Sequence, residues 1–104
     1  MPVRRIGPRE ASHLLAEGDW DLVDVREPVE WEGGRLPGSR HVPLGRLLRD
    51  PAGSLRQDRV IFVCAHGVRS LTAAAVAASR GLAEVCSLDG GTIGWAEAGF
   101  PVER

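Results

Sequence analysis

With 104 residues, 43% of them apolar and 26% charged, the chain has material for one core and a wetted surface, so one domain over residues 1–104 is expected. A net charge of −1 speaks against a nucleic-acid partner, and no stretch approaches the roughly 18 apolar residues of a membrane span. All thirteen basic residues are arginines scattered among fourteen acids, which reads as compositional bias and not as a phosphate-binding patch.

Val3-Arg4-Arg5-Ile6 suits a short strand at a sheet edge. Gly7-Pro8 then opens a helix over Arg9–Glu17. Proline fits a first helical position, and Ala11, Leu14 and Leu15 share one face before Gly18 ends the run. His13, near the edge of that face, reads as solvated. The next strand is expected over Trp20–Arg26, and its carboxyl end carries Asp24, Arg26 and Glu27 where apolar residues would be usual. Ligands of α/β sheets bind off the carboxyl ends of strands, so this cluster is expected near a site. For Asp24 and Arg26 the preferred reading is an internal ion pair that fixes the loops. Pro28–Glu32 makes a short helical turn, Gly33-Gly34 breaks it, and Leu36-Pro37-Gly38 turns the chain into a third strand at Arg40–Val42. His41 in that strand reads as structural. Pro43–Arg49 is expected as a short helix and Asp50–Ser54 as a loop.

Val60-Ile61-Phe62-Val63 is a continuous apolar run of β-forming residues, which suits a central strand buried on both faces. From Ser70 the chain becomes Ala-rich up to Ser79, with Gly81 beyond, and this predicts a helix. Between strand and helix lie Cys64, Ala65, His66, Gly67, Val68 and Arg69. A thiol there faces unpaired N–H groups, the positive end of a helix dipole, and the cations His66 (when protonated) and Arg69, all of which favour thiolate. A free cysteine is ordinarily a small buried hydrophobe, and on the local pattern alone both readings stand. Gly67 tilts the balance toward a reactive thiol, since glycine permits the positive-φ turn that points successive N–H groups inward.

A fifth strand is expected over Glu84–Leu88, with Cys86 packed inside it and a resolving-thiol role as a minor alternative. Asp89-Gly90-Gly91 leads into a helix over Thr92–Ala98, closed by Gly99. Trp20, Trp31 and Trp95 read as packing residues and not as a stacking platform. No Cys-x-x-Cys or His-x-x-x-His pair occurs, so no metal site is expected. Two cysteines make no disulfide framework, and no signal-type apolar run follows Arg4 and Arg5, so a cytoplasmic protein is expected. Strands alternate with helices throughout. That predicts an α/β protein with a parallel sheet covered on both faces.

Four stretches, taken in order, resemble a single-domain rhodanese. They are Asp24-Val25-Arg26-Glu27, Gly34-Arg35-Leu36-Pro37-Gly38-Ser39, the Cys64–Arg69 loop, and Leu88-Asp89-Gly90-Gly91 with Trp95. The resemblance runs from about Ile6 to Pro101. It departs at Arg35, where the family commonly has histidine, and at His41, often asparagine, and both are expected to affect packing more than chemistry. The resemblance implies a three-layer α/β/α fold with a five-stranded parallel sheet in the order 1-5-4-2-3. It also implies a sulfurtransferase without cofactor. Cys64 would be the nucleophile and persulfide carrier, and the N–H groups of Ala65, His66, Gly67, Val68, Arg69 and Ser70 would hold the persulfide's charge. Asp24 and Arg26 would support the loop. Arg69 either steers anions or is tied down by an acid of the Asp24–Glu27 cluster, and His66 assists an anionic donor at the pocket mouth.

Three alternatives accompany this reading. Relatives that use the architecture for phosphate or arsenate have five residues between cysteine and arginine, whereas four lie between Cys64 and Arg69. A non-catalytic binding module usually lacks the loop cysteine. A relay that hands persulfide to a partner protein keeps the same chemistry. The short loop predicts an open pocket for thiosulfate or a persulfide donor and for a cyanide, thiol or protein acceptor. A monomer is expected.

Overall fold

Val60, Ile61, Phe62 and Val63 are wholly buried and form the middle of the sheet, as a run of β-branched and aromatic residues without polar alternation requires. The computed structural model describes residues 3–104. Its elements are β1 (Arg4–Ile6), α1 (Pro8–Glu17), β2 (Asp21–Asp24), α2 (Pro28–Glu32), β3 (Arg40–His41), α3 (Leu44–Arg49), α4 (Pro51–Ser54), β4 (Arg59–Val63), α5 (Arg69–Ser79), β5 (Glu84–Leu88) and α6 (Gly91–Glu97). The five strands are parallel and lie in the order β1-β5-β4-β2-β3. This is the α/β/α arrangement and strand order expected from the sequence.

Alternation along the central strands sorts side chains onto two faces. Val23, Val60, Phe62, Cys64 and Val85 pack with Leu47 of α3 and Ala73, Ala74 and Ala77 of α5. Leu22, Ile61, Val63, Cys86 and Leu88 pack with Ala11 of α1 and Trp95 of α6. The alanines set the approach of α5. Side chains that end at Cβ let the helix lie close to the sheet, which fixes the height at which its first turn meets the end of β4.

Element ends differ from the sequence reading at three places with identifiable causes. The ladder of β2 stops at Asp24, two residues before Arg26, because the Arg26 N–H turns back onto the Asp24 carboxylate at 2.9 Å. The stretch expected as a loop at Asp50–Ser54 contains the one-turn helix α4. Pro51 occupies its first position and the Asp50 carboxylate accepts from the Gly53 N–H at 3.0 Å. The third strand ends at His41: the Val42 N–H still makes a ladder bond to the Asp24 carbonyl of β2 at 2.9 Å, but the Arg26 N–H that would make the next rung is turned onto the Asp24 carboxylate.

Candidate active site

Cys64 stands one residue beyond β4, and the loop from it to Val68 delivers the chain into α5. Gly67 is the hinge of that loop. Its φ is +96°, and a Cβ there would press against the Gly90 nitrogen and the Leu88 carbonyl. The turn brings backbone donors around one sulfur. The N–H of Gly67 reaches Cys64 Sγ at 3.1 Å and that of Ser70 at 3.3 Å. The Ser70 hydroxyl lies 3.5 Å from the same sulfur and 2.7 Å from the Ser87 hydroxyl on β5. Among the described residues, the N–H groups of His66, Val68 and Arg69 meet no backbone acceptor.

Burial is the largest influence on the Cys64 thiol and pushes its pKa up. The Ser70 hydroxyl and the N–H groups of Ser70, Gly67 and His66 together outweigh it, so the pKa lies below the ordinary 9.0. The sequence reading assigns part of this to Arg69, whose charge does interact favourably with Cys64, but the guanidinium itself is turned onto Glu30 of α2 with two bonds, at 2.7 and 2.9 Å. The bidentate pair holds Glu30 down at about 2 from 4.5, chiefly through the hydrogen bond to Arg69, and raises the arginine in return. The acid that ties down Arg69 is therefore not one of the Asp24–Glu27 cluster but the next carboxylate along.

Asp24 and Arg26 form the internal pair expected of them. Three contacts of 2.8–3.0 Å join the guanidinium to the carboxylate, both groups are buried, and Arg26 also donates to the carbonyls of Gly34 at 2.7 Å and Glu30 at 3.2 Å. Arg26 thus fixes the far side of α2, and α2 fixes Arg69 through Glu30. His41 and Trp31 brace the same helix: their rings stack 4.8 Å apart, the Arg35 guanidinium lies over the Trp31 ring at 4.8 Å, and His41 Nε2 bonds the Arg26 carbonyl at 2.8 Å. His66 is exposed at the rim. Val68, also in the loop, is 71% exposed.

A second brace comes from α6. The N–H of Thr92 donates to the Cys64 carbonyl at 2.8 Å and that of Ile93 to the Ala65 carbonyl at 3.3 Å. The approach requires glycine: a Cβ on Gly91, whose φ is +59°, would run into both of those carbonyl oxygens. This is the physical content of the Asp89-Gly90-Gly91 motif.

Cys86 does not join the site. It is fully buried on the opposite sheet face, among Ile61, Val63 and Leu88, and burial raises its pKa. A resolving role has no geometry to support it. The open pocket expected at the sulfur is absent too, for Cys64 is only 1% exposed. A groove of about 340 Å³ bordered by Arg26, Glu30, Thr92 and Ile93 includes no residue of the Cys64–Arg69 loop, and a cavity of about 470 Å³ lies at the other end of the sheet between Leu55, Arg56, Arg80 and Leu82. No group of three or more metal-ligating side chains occurs among the described residues. Glu30 and Ser87 were not singled out from sequence. Glu30 had a local signal as a helix-start acid, whereas a lone serine in a strand gives none.

Residues 7–98 match the family model of the rhodanese-like domain. The chain belongs to the rhodanese-like domain family. Within that family it is 40% identical to the thiosulfate sulfurtransferase GlpE of Ectopseudomonas mendocina, across 96% of this chain and 90% of the relative. A rhodanese-related protein from Thermoplasma volcanium superposes with a TM-score of 0.85 at 31% identity, covering 96% of this chain and 97% of that one. A Rhodopseudomonas palustris protein, described as of unknown function and a possible tyrosine phosphatase, gives a TM-score of 0.82 at 31% identity over 97% of this chain and 85% of that one. The family and the fold thus agree with the reading made from four short motifs.

Proposed function

We propose that this chain is a rhodanese-type sulfurtransferase that carries sulfur as a persulfide on Cys64. The observation that supports it most is the setting of one buried sulfur at the entry to a helix: two N–H groups donate to it at 3.1 and 3.3 Å, and the Ser70 hydroxyl, 3.5 Å away, accepts from the thiol and can donate to the thiolate. A sulfur so held is already biased to thiolate, so no general base is needed. The thiolate attacks the outer sulfur of thiosulfate, the S–S bond of the donor breaks, and its electron pair leaves with sulfite. A persulfide remains, with the charge on its terminal sulfur. The N–H groups of Val68 and Arg69, which meet no backbone acceptor among the described residues, are placed to hold that charge together with that of His66. A thiophilic acceptor then takes the terminal sulfur and returns Cys64 as thiolate. The name shared by relatives across nearly the whole chain favours thiosulfate as donor.

The acceptor is cyanide, a small thiol or a cysteine of a partner protein, and His66 at the rim favours an anionic donor. The enzyme works without cofactor as one domain over residues 1–104, as a monomer in the cytoplasm, where its two free thiols stay reduced. No helix among the described residues is long and apolar enough to cross a membrane. Arg69 weighs against phosphate chemistry, since the fork that would clasp an oxyanion is filled by Glu30.

The test is intact-mass measurement after incubation with thiosulfate, beside Cys64→Ser. Expected is a gain of one sulfur atom on the wild type alone, discharged by cyanide as thiocyanate. Absence of the adduct with both thiosulfate and a glutathione persulfide would sink the assignment and leave a binding module.

A further inference from the structure

We propose that Ser87 is a positioning residue for the Cys64 thiolate, acting through Ser70 as the outer member of a two-hydroxyl chain. The proposal rests on the reading of Cys64 as nucleophile. Ser87 sits in β5, beside Phe62 of β4 in the sheet register, and is fully buried, as is Ser70. A buried hydroxyl is costly unless bonded, and among the described residues the only partner of Ser87 Oγ is Ser70 Oγ at 2.7 Å.

Proton counting shows what the chain favours. Cys64 Sγ, Ser70 Oγ and Ser87 Oγ stand in a row with two links between them. A thiol places three protons on these atoms, so one finds no acceptor in the row. A thiolate leaves two protons for two links. Ser87 then donates to Ser70, Ser70 donates to sulfur, and every proton is placed. Ser87 has no alternative acceptor, so it keeps the Ser70 oxygen occupied and turns the Ser70 proton toward Cys64. A donor already accepting a hydrogen bond is also the stronger donor. Without Ser87, the Ser70 hydroxyl is free to rotate away.

The charged groups around Cys64 leave this role to the hydroxyls. Arg69 of α5 is paired with Glu30 of α2, Arg26 with Asp24 at the end of β2, and Arg5 with Asp89 beyond β5. His66 in the loop is the remaining titratable neighbour and is exposed. None of these is a hydrogen-bond partner of Ser87.

Ionisation of Cys64 is read by titrating protein made with carbon-13-labelled cysteine, the two resonances being assigned with Cys64→Ser. Ser87→Ala is expected to raise the Cys64 pKa by about half a pH unit, in line with the strengthening one further bond gives a hydrogen-bonded chain. Ser87→Thr, which restores the hydroxyl, should bring the value back toward wild type. In a Ser70→Ala background, Ser87→Ala should shift nothing further. An unchanged pKa in Ser87→Ala, or an equal shift with and without Ser70, would overturn the proposal and reduce Ser87 to packing. The measurement needs no sulfur donor. A shift that passes through Ser70 in a protein that takes no sulfur supports the chain while refuting the sulfurtransferase; sulfur transfer with no Ser87 effect refutes the chain alone.

Discussion

Cys64 and Cys86 are the same residue, both buried, one just past the end of β4 and the other in the middle of the neighbouring β5, and their thiols are shifted in opposite directions. Burial pushes both thiols up. Only Cys64 has hydrogen-bond donors aimed at it, and they reverse the sign. Burial on its own therefore yields an inert thiol, and reactivity comes from what the backbone offers the sulfur. The contrast reaches stability as well. Near pH 9 the folded state binds fewer protons at Cys64 than the unfolded chain does, so that site stabilises the fold as pH rises. At Cys86 the folded state holds its proton longer, so that site loses stability over the same range.

The largest expected effect is chemical. Cys64→Ser should reduce thiosulfate:cyanide transfer to background, while Cys86→Ala keeps it within about twofold, as the opposite sheet face requires. A comparable loss in both variants, seen in a thiocyanate assay, would end the distinction.

Gly91→Ala should be next, costing about 3 kcal/mol or more in urea unfolding because the added carbon meets the Cys64 and Ala65 carbonyls at a positive φ. Ser70→Ala should raise the Cys64 pKa by about one to two units, the worth of a hydrogen bond to a charged group, and leave Cys86 where it is. Cys64 titrating unchanged in that variant would mean the N–H groups suffice.

The smallest effect concerns the brace. Glu30 has a folded pKa of about 2 against 4.5, so its carboxylate stabilises the fold fully above pH 4.5 and loses that contribution as pH falls toward 2. With the pair about one-third exposed, solvent screening leaves about 1 kcal/mol. Glu30→Gln should lose that amount at neutral pH and unfold with a shallower dependence on acid, measured by urea denaturation at several pH values. An unchanged acid slope would show that the Arg69 pair does not hold the loop.

The sheet and the loop that carries Cys64 are legible because their signals are local. An apolar run, a cysteine, a glycine and an Ala-rich stretch within 20 residues spell strand, turn and helix, and the motif order added the topology. The partners of that loop are not local. Arg69 and Glu30 are 39 residues apart, and Ser70 and Ser87 are 17 apart on a helix and a strand. No periodicity records which acid meets an arginine once the chain has folded. The same applies to Trp31, which reads as apolar packing yet spends one face on His41 and carries Arg35 near its ring. The helix α4 escapes the sequence for a different reason: proline, glycine and aspartate are turn formers, and what makes one helical turn of them is the Asp50 cap together with the N–H bonds of Ser54 and Leu55 back to the Asp50 and Pro51 carbonyls.

The two bonds from α6 reach further than their own length. A peptide unit is flat and trans, so its C=O and N–H point in opposite directions. Pinning the Cys64 carbonyl to Thr92 therefore sets the direction of the Ala65 N–H, and pinning the Ala65 carbonyl to Ile93 sets that of His66. The polarity of the sulfur's surroundings is thus aimed from behind, by a helix that never touches the sulfur. The stretch from Leu88 to Gly91 therefore sets the direction of donors that lie in a different part of the chain.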